Sequence, residues 1–295
     1  MAPLLSASSA RIDVEGAAAI DGLSLETSGD RVLVLGAVRA LFEAAAGLRD
    51  VRRGSVVVEG LSPRAAVREG RAACAPLDPP LPPRWTVAQY VTWSARLAGH
   101  HGLERERLVA AALGALALRS SGSSRLGAAG LSLRRATVLS AALATGAATL
   151  LLDDPLTGLP DDAARPLARV IARALADRRS VVFAGRFPLD SPLALAADEA
   201  LLVDGAAVVA QGAPAELAAA ERTLALRVIG EVAAFTAALE KLGARACVAP
   251  GAPLPVLPVH VRVELGALSA RDVLRVAVEV HAVVLELRPI CRAFA

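Results

Sequence analysis

TLLLDDPLTGLP, Thr149 to Pro160, begins with an unbroken apolar run, closes it with two adjacent carboxylates, Asp153 and Asp154, and then breaks into a Pro/Gly turn. A short strand that is apolar at every position is buried on both faces, and such strands belong to parallel sheets covered by helices on either side. Two further segments repeat the pattern. RVLVLG, Arg31 to Gly36, is an apolar strand ending on glycine, and SVVFA, Ser180 to Ala184, is another. Helical periodicity lies between them, at Leu133 to Ala144, Asp161 to Asp177 and Pro192 to Ala197. Strands alternating with helices predict a mainly parallel sheet with helices on both faces.

Outward from that centre the chain punctuates itself. Residues 11 to 35 read as short strands separated by turns. Leu41 to Leu48 is a helix, and Ser55 to Gly60 a strand ending in a turn. PLDPPLPPRW, Pro76 to Trp85, must be an irregular loop. Residues 86 to 120 are helical in period, with Trp85, Tyr90 and Trp93 close together; Ser120 to Gly127 is a loop. Ser132 is placed to cap the helix that follows. Glu199 to Val203 is a strand that leads into a hairpin. The tail from Thr223 reads strand, helix, short strand near Ala246, alternating strand (Val259 to Leu265), capped helix (Ser269 to His281) and strand (Val283 to Pro289). That order, β-α-β-β-α-β, is ferredoxin-like. The join lies at about Gly212 to Arg222, and no short-period repeat is visible.

Composition narrows the function classes. In 295 residues, 55% are hydrophobic, much of this alanine, and only 3% are aromatic. The mean hydropathy of +0.50 therefore reflects many small side chains. The most apolar stretch, Thr137 to Leu152, is too short and too polar to span a bilayer. The N-terminus lacks the charged start and apolar run of a secretory signal, so the expected location is the cytoplasm. A net charge of +3, carried by scattered arginines, forms no block that would point to nucleic acid. Cys74, Cys247 and Cys291 are far apart and fit neither a metal spacing nor a disulfide framework; they are expected to be buried thiols. His100 and His101 have no ligand set beside them and are expected on an exposed loop. Lys241 is the only lysine, and no histidine occurs from 102 to 259.

In order and spacing, four segments resemble the ATPase subunit of ATP-binding-cassette (ABC) transporters. TLLLDDPLTGLP is similar to the family's Walker B and D-loop, LLLLDEPTSGLD. ADEALLVDGAAVVAQGAPAEL, Ala197 to Leu217, is similar to its hairpin ending DGRIVAQGTPAEL. Thr86-Val87 matches the start of the helical subdomain, and Ala45 to Gly60 the stretch after the phosphate loop. The small C-terminal unit makes the ABC-2 export type the nearest flavour. The resemblance implies an α/β, P-loop NTPase-like ABC ATPase domain over 1–217, with a RecA-like core and a helical subdomain at about 85–135. A ferredoxin-like α+β accessory domain would follow over 223–295.

The motifs that carry chemistry depart from the family. Its phosphate loop, GxxxxGK[ST], cradles phosphates with backbone N–H groups, a lysine and a Mg²⁺-holding hydroxyl; here the stretch after Gly36 is about four residues short, with Arg39 the nearest cation. An arginine's planar fork is a poor substitute for the lysine's point charge. The Q-loop position falls at Leu77 and the switch-histidine position at Arg186. LSGGQ aligns onto Ala129 to Leu133, and the D-loop aspartate becomes Pro160. No aromatic precedes Phe42 to stack on adenine. Asp153 matches the carboxylate that holds Mg²⁺, the one metal ligand implied if nucleotide binds, and Asp154 stands where the catalytic glutamate would be. One lost transition-state contact typically slows such chemistry by about 10²–10³.

The reading is therefore a catalytically degenerate cassette subunit, with no cofactor expected. Its partners would be an ABC-2-type membrane permease and a second ABC ATPase subunit, and it would sit peripherally on the inner face of the cell membrane. Two alternatives stand beside it. One is a working ATPase with an unorthodox site on Arg39, Asp153 and Asp154, binding ATP and Mg²⁺. The other is an interaction scaffold unrelated to transport. The aromatic trio reads either as subdomain core or as a permease-docking groove. The two aspartates read either as residual metal ligands or as loop ties at a strand's end.

Overall fold

The computed structural model describes residues 3–189, 191–219, 223–249 and 258–289. Its centre is a six-stranded sheet built from β3 (Arg31–Gly36), β5 (Ala72–Ala75), β6 (Thr149–Asp153), β7 (Arg179–Ala184), β8 (Glu199–Asp204) and β9 (Ala207–Gly212), in the order β5-β6-β7-β3-β8-β9. The first five in that order run parallel, and β9 closes the edge as an antiparallel hairpin with β8.

The apolar runs form strands here because both faces are covered. Leu33, Leu35, Leu150, Leu152, Val182 and Leu202 point into one core; their alternates, Val32, Val34, Leu151, Val181 and Leu201, point into another. The first core is roofed by α3 (Val87–Leu97), α4 (Gly102–Ala115), α5 (Leu131–Ala144) and α6 (Asp161–Ala174). The second is closed by α1 (Arg39–Ala45) and by an antiparallel sheet of β1 (Leu5–Val14), β2 (Ala17–Glu26) and β4 (Arg53–Val58), ordered β2-β1-β4.

The amino edge of the central sheet is densely tied. Glu59, buried at the turn after β4, takes two short bonds from Arg179 Nη1 (2.7 and 2.6 Å) and one from the Thr149 hydroxyl. Glu199, buried at the start of β8, accepts from the amides of Ser28 (2.7 Å) and Gly29 (2.9 Å), the Ser28 hydroxyl (2.8 Å) and Gln211 Nε2 (2.6 Å). Burial pushes its carboxyl up, but these four donors hold it below the usual carboxylate range.

The tail folds as the sequence predicts. β10 (Thr223–Gly230), β11 (Arg245–Val248), β12 (Val259–Glu264) and β13 (Ala282–Pro289) form an antiparallel sheet ordered β11-β12-β10-β13. Helices α9 (Val232–Lys241) and α10 (Ala270–Glu279) bury Phe235, Leu239, Val273 and Val276 against one of its faces. Ser269 and Asp272 cap α10 reciprocally.

Several local expectations are corrected. Helix α5 begins at Leu131 with Gly130 at the cap, so Ser132 lies inside the first turn and caps nothing. The helical stretch 86–120 is two helices, parted at Gly99, whose φ of +90° an L side chain rarely adopts. Two short elements carry no readable period: α2 (Pro63–Arg68) and β5. Cys247 is exposed, whereas Cys74 is largely buried and its thiol is pushed up to about 12 by burial; Cys291 lies outside the described residues. His100 is half-buried, its Nε2 2.7 Å from the Thr145 carbonyl oxygen, while His101 is exposed.

Candidate functional site

The parallel strands deliver their carboxyl ends to one edge, and four of the sequence-selected positions meet there: Gly36, Asp153, Asp154 and Arg186. β6 terminates at Asp153, which is 7% exposed; its Oδ2 accepts from the Leu77 amide at 3.3 Å. Leu77 thus faces the carboxylate with its backbone, and Asp153 ties the proline-rich loop to the strand. Burial pushes the Asp153 carboxyl up, and the neighbouring Asp154 adds to this; the Leu77 N–H and the charge of Arg39 oppose it.

Asp154 turns out of the strand with φ +39°. Its N–H still donates to the Phe183 carbonyl (2.7 Å), and Oδ2 accepts from the Gly185 amide (3.2 Å). Oδ1 is buried with no hydrogen-bond partner among the described residues. Burial raises this carboxyl too, against the Gly185 N–H and the charge of Arg135.

Arg135 is a member of the site that the sequence reading passed over. It is buried in α5, and its guanidinium reaches the carbonyls of Asp154 and Thr157, both at 3.5 Å, and the Asp78 carboxylate at 3.6 Å. Burial lowers its affinity for its proton, and the three carboxylates Asp78, Asp154 and Asp153 pull the other way. The available signal was a charged residue four positions after Leu131, on the helix face that also carries Val138 and Leu139.

The turn after β3 is where geometry departs most from a phosphate cradle. Only Ala37 and Val38 separate Gly36 (φ +119°) from the first residue of α1. The Val38 N–H bends back onto the Gly36 carbonyl at 2.7 Å, and Val38 itself is buried. One of the few amides that could face a ligand is therefore consumed inside the turn. Arg39 follows with its side chain 70% exposed, 3.4 Å from Glu43 one helical turn on. Arg186 is exposed just beyond Gly185.

The aromatic trio lies on the helical roof. Trp85 and Trp93 meet edge-to-face at 5.7 Å, and Tyr90 lies 5.7 Å from Trp93. Trp85 and Tyr90 are half-buried against the core, and Trp93 is 40% exposed.

No family model and no curated protein sequence matches the chain. Solved structures do. An ATP-binding subunit of an ABC transporter superposes with a TM-score of 0.59 at 16% identity, covering 72% of this chain and 91% of the other. CbiO1 from Clostridium perfringens, part of the ABC transporter complex CbiONQ, gives 0.62 at 16% identity over 74% and 92%. A bacterial Atm1-family ABC exporter with ATP bound gives 0.57 at 16% identity, over 73% of this chain and 39% of that one. The fold is that of an ABC ATPase subunit, joined to an antiparallel C-terminal sheet domain.

Proposed function

We propose that this chain is an ABC-cassette subunit that does not itself turn over ATP, and that it serves as a structural or regulatory partner of an ABC-2-type export permease. The cassette fold supports the first part. The observation that carries the lack of ATP turnover is the two-residue turn Ala37-Val38, closed by the Val38 N–H on the Gly36 carbonyl. A triphosphate needs a ring of free amides and a cation behind it. Here the ring is shortened, the cation is an exposed Arg39, and α1 is only seven residues long. Asp153 and Asp154 stand at the carboxyl end of β6, yet they bring negative charge without the cradle that would hold a nucleotide to them.

The structural relatives suggest the setting. CbiO1 is part of a transporter complex, and the Atm1-family protein is an exporter. By extension this chain would dock, through the roof carrying Trp85 and Trp93, beneath a membrane permease and beside a second cassette subunit. Among the described residues no helix is long and apolar enough to cross a membrane, so attachment would be peripheral.

Calorimetric titration of the full chain with MgATP tests the reading. No saturable heat is expected up to about 1 mM nucleotide. Micromolar binding that Arg39→Gln abolishes would establish the alternative, a working site on Arg39, Asp153 and Asp154. Affinity capture from membranes with the full chain as bait should retain a permease; its absence would favour an unrelated scaffold.

A further inference from the structure

The outer face of the C-terminal sheet does not stand free. It approaches the carboxyl edge of the central sheet beside Gly36 and Gly185, and the two leave a cavity of about 350 Å³ between them. That is the lower end of the range for small-molecule sites. Gly36 and Ala37 of the turn after β3 line it as well, whereas Arg39, Asp153 and Asp154 do not, so the cavity opens beside that turn and away from the two aspartates.

Its lining is polarised. Arg186 enters from the core, and Arg227 and Arg288 from β10 and β13. The last two share a single carboxylate: Glu286 lies 3.7 Å from Arg227 and also pairs with Arg288. Arg186 has no ion pair among the described residues. Asp204 is engaged by His260 Nδ1 at 3.4 Å. Among the described residues three arginines face two carboxylates, which leaves one positive charge in excess. The Arg227 Nε is buried and lacks an acceptor among the described residues. Buried donors of a charged group are costly to leave unpaired, and a guanidinium is matched best by a carboxylate or a phosphate. Val203, Val209 and Ala225 supply an apolar wall, which suits an organic ligand better than a bare ion.

We propose that this interdomain cavity binds a small organic oxyanion, a di- or tricarboxylate or a phosphoryl compound, gripped by Arg227 and Arg288 from one side and Arg186 from the other. Because the cations come from both units, the occupant ties the C-terminal sheet to the core. Occupancy is thereby a means of signalling metabolite supply to the cassette; since Gly36 and Ala37 are shared with the turn after β3, Arg39→Gln is the substitution that tells this binding from nucleotide binding at that turn.

The experiment is calorimetric titration of the full chain, without nucleotide, using citrate and pyrophosphate as probes at low ionic strength. Saturable binding of at least one, with Kd below about 1 mM, is expected. Arg227→Gln and Arg288→Gln should each weaken it about tenfold or more. Glu286→Gln should tighten it by removing the competing carboxylate, a change of sign that loss of structure cannot imitate. Arg39→Gln should leave it unchanged. The probe that binds identifies carboxylate or phosphoryl chemistry. The proposal is overturned if neither probe binds, if binding survives both arginine substitutions, or if it is lost in Arg39→Gln.

Discussion

Asp154→Asn separates a retired metal site from a working one, because the two predict opposite outcomes. In the folded chain Oδ2 of Asp154 accepts from the Gly185 amide at 3.2 Å, while Oδ1 is buried with no hydrogen-bond partner among the described residues. A buried acceptor left without a partner costs about 1–3 kcal/mol. Asparagine keeps the oxygen that meets Gly185 and removes the charge beside Asp153. It also tolerates the left-handed φ of +39° better than most residues. Against this stands the lost attraction to the buried Arg135, which keeps the Asp78 carboxylate at 3.6 Å and the Asp153 charge as its partners, so that about 1 kcal/mol is lost. The balance is a stabilisation of about 1 kcal/mol at pH 7, or roughly 2–4 °C in Tm for a domain of this size. The pH dependence follows from the raised carboxyl. Its folded-state value lies above the unfolded one, so wild type is most favoured below the unfolded value and loses stability as pH rises through the folded one. The advantage of Asp154→Asn should therefore be full at neutral pH and shrink towards pH 4. Thermal melts followed by circular dichroism, with and without MgATP, measure both. A fall in Tm of the variant, or a MgATP-dependent rise in wild type that the variant lacks, would refute the reasoning.

Two further substitutions probe the opposite edge of the sheet. Glu59→Ala removes the buried carboxylate that holds Arg179 and Thr149 and leaves the guanidinium with only the exposed Asp30, 3.0 Å from its Nε; a loss of about 2–3 kcal/mol is expected in urea unfolding. Glu199→Gln strips the charge from an acceptor of four hydrogen bonds and should cost about 1.5–3 kcal/mol at pH 7. Since the folded Glu199 carboxyl lies below its ordinary value, its contribution is present above the unfolded value of about 4.5 and is lost as pH falls through the folded one. The variant should show a flatter acid limb in Tm against pH, and an unchanged limb would count against the four-donor account.

The sequence is explicit wherever one residue's character is enough. Leu150 to Leu152 and Val32 to Leu35 are apolar without interruption because each strand feeds two cores, and no other environment accepts that pattern. The shortness of the turn at Ala37-Val38 is likewise a matter of counting. What escaped is what depends on pairs. Ser132 resembles a cap by type, yet the chain enters α5 two residues earlier through Gly130. Arg135 and Asp78 lie far apart along the chain, and nothing in either segment announces that Asp154 and Thr157 will present their carbonyls between them. His100 has no neighbouring ligand in sequence but finds Thr145 through the packing of α4 on α5. The cavity beside Arg227 needs two units brought together, and local periodicity contains no term for that.

These details share an orientation. At the amino edge of the parallel strands the charges are satisfied: the buried Glu59 with Arg179, the buried Glu199 with Ser28 and Gly29, and the exposed Asp198 with Arg31 at 2.6 Å. At the carboxyl edge they are not: Asp153 and Asp154 are both raised by burial, one oxygen of Asp154 has no donor among the described residues, Arg39 extends into solvent, and Arg186 lines the cavity without an ion pair among the described residues. Open α/β sheets place ligands at the carboxyl ends of their strands, and unsatisfied groups persist there only where a ligand once repaid them or still does. Folding energy in this chain is concentrated away from that edge. On the function proposed above, the turn after β3 is the place where length can change without disturbing the strands that define the cassette fold, so that chemistry and architecture are separable in this domain.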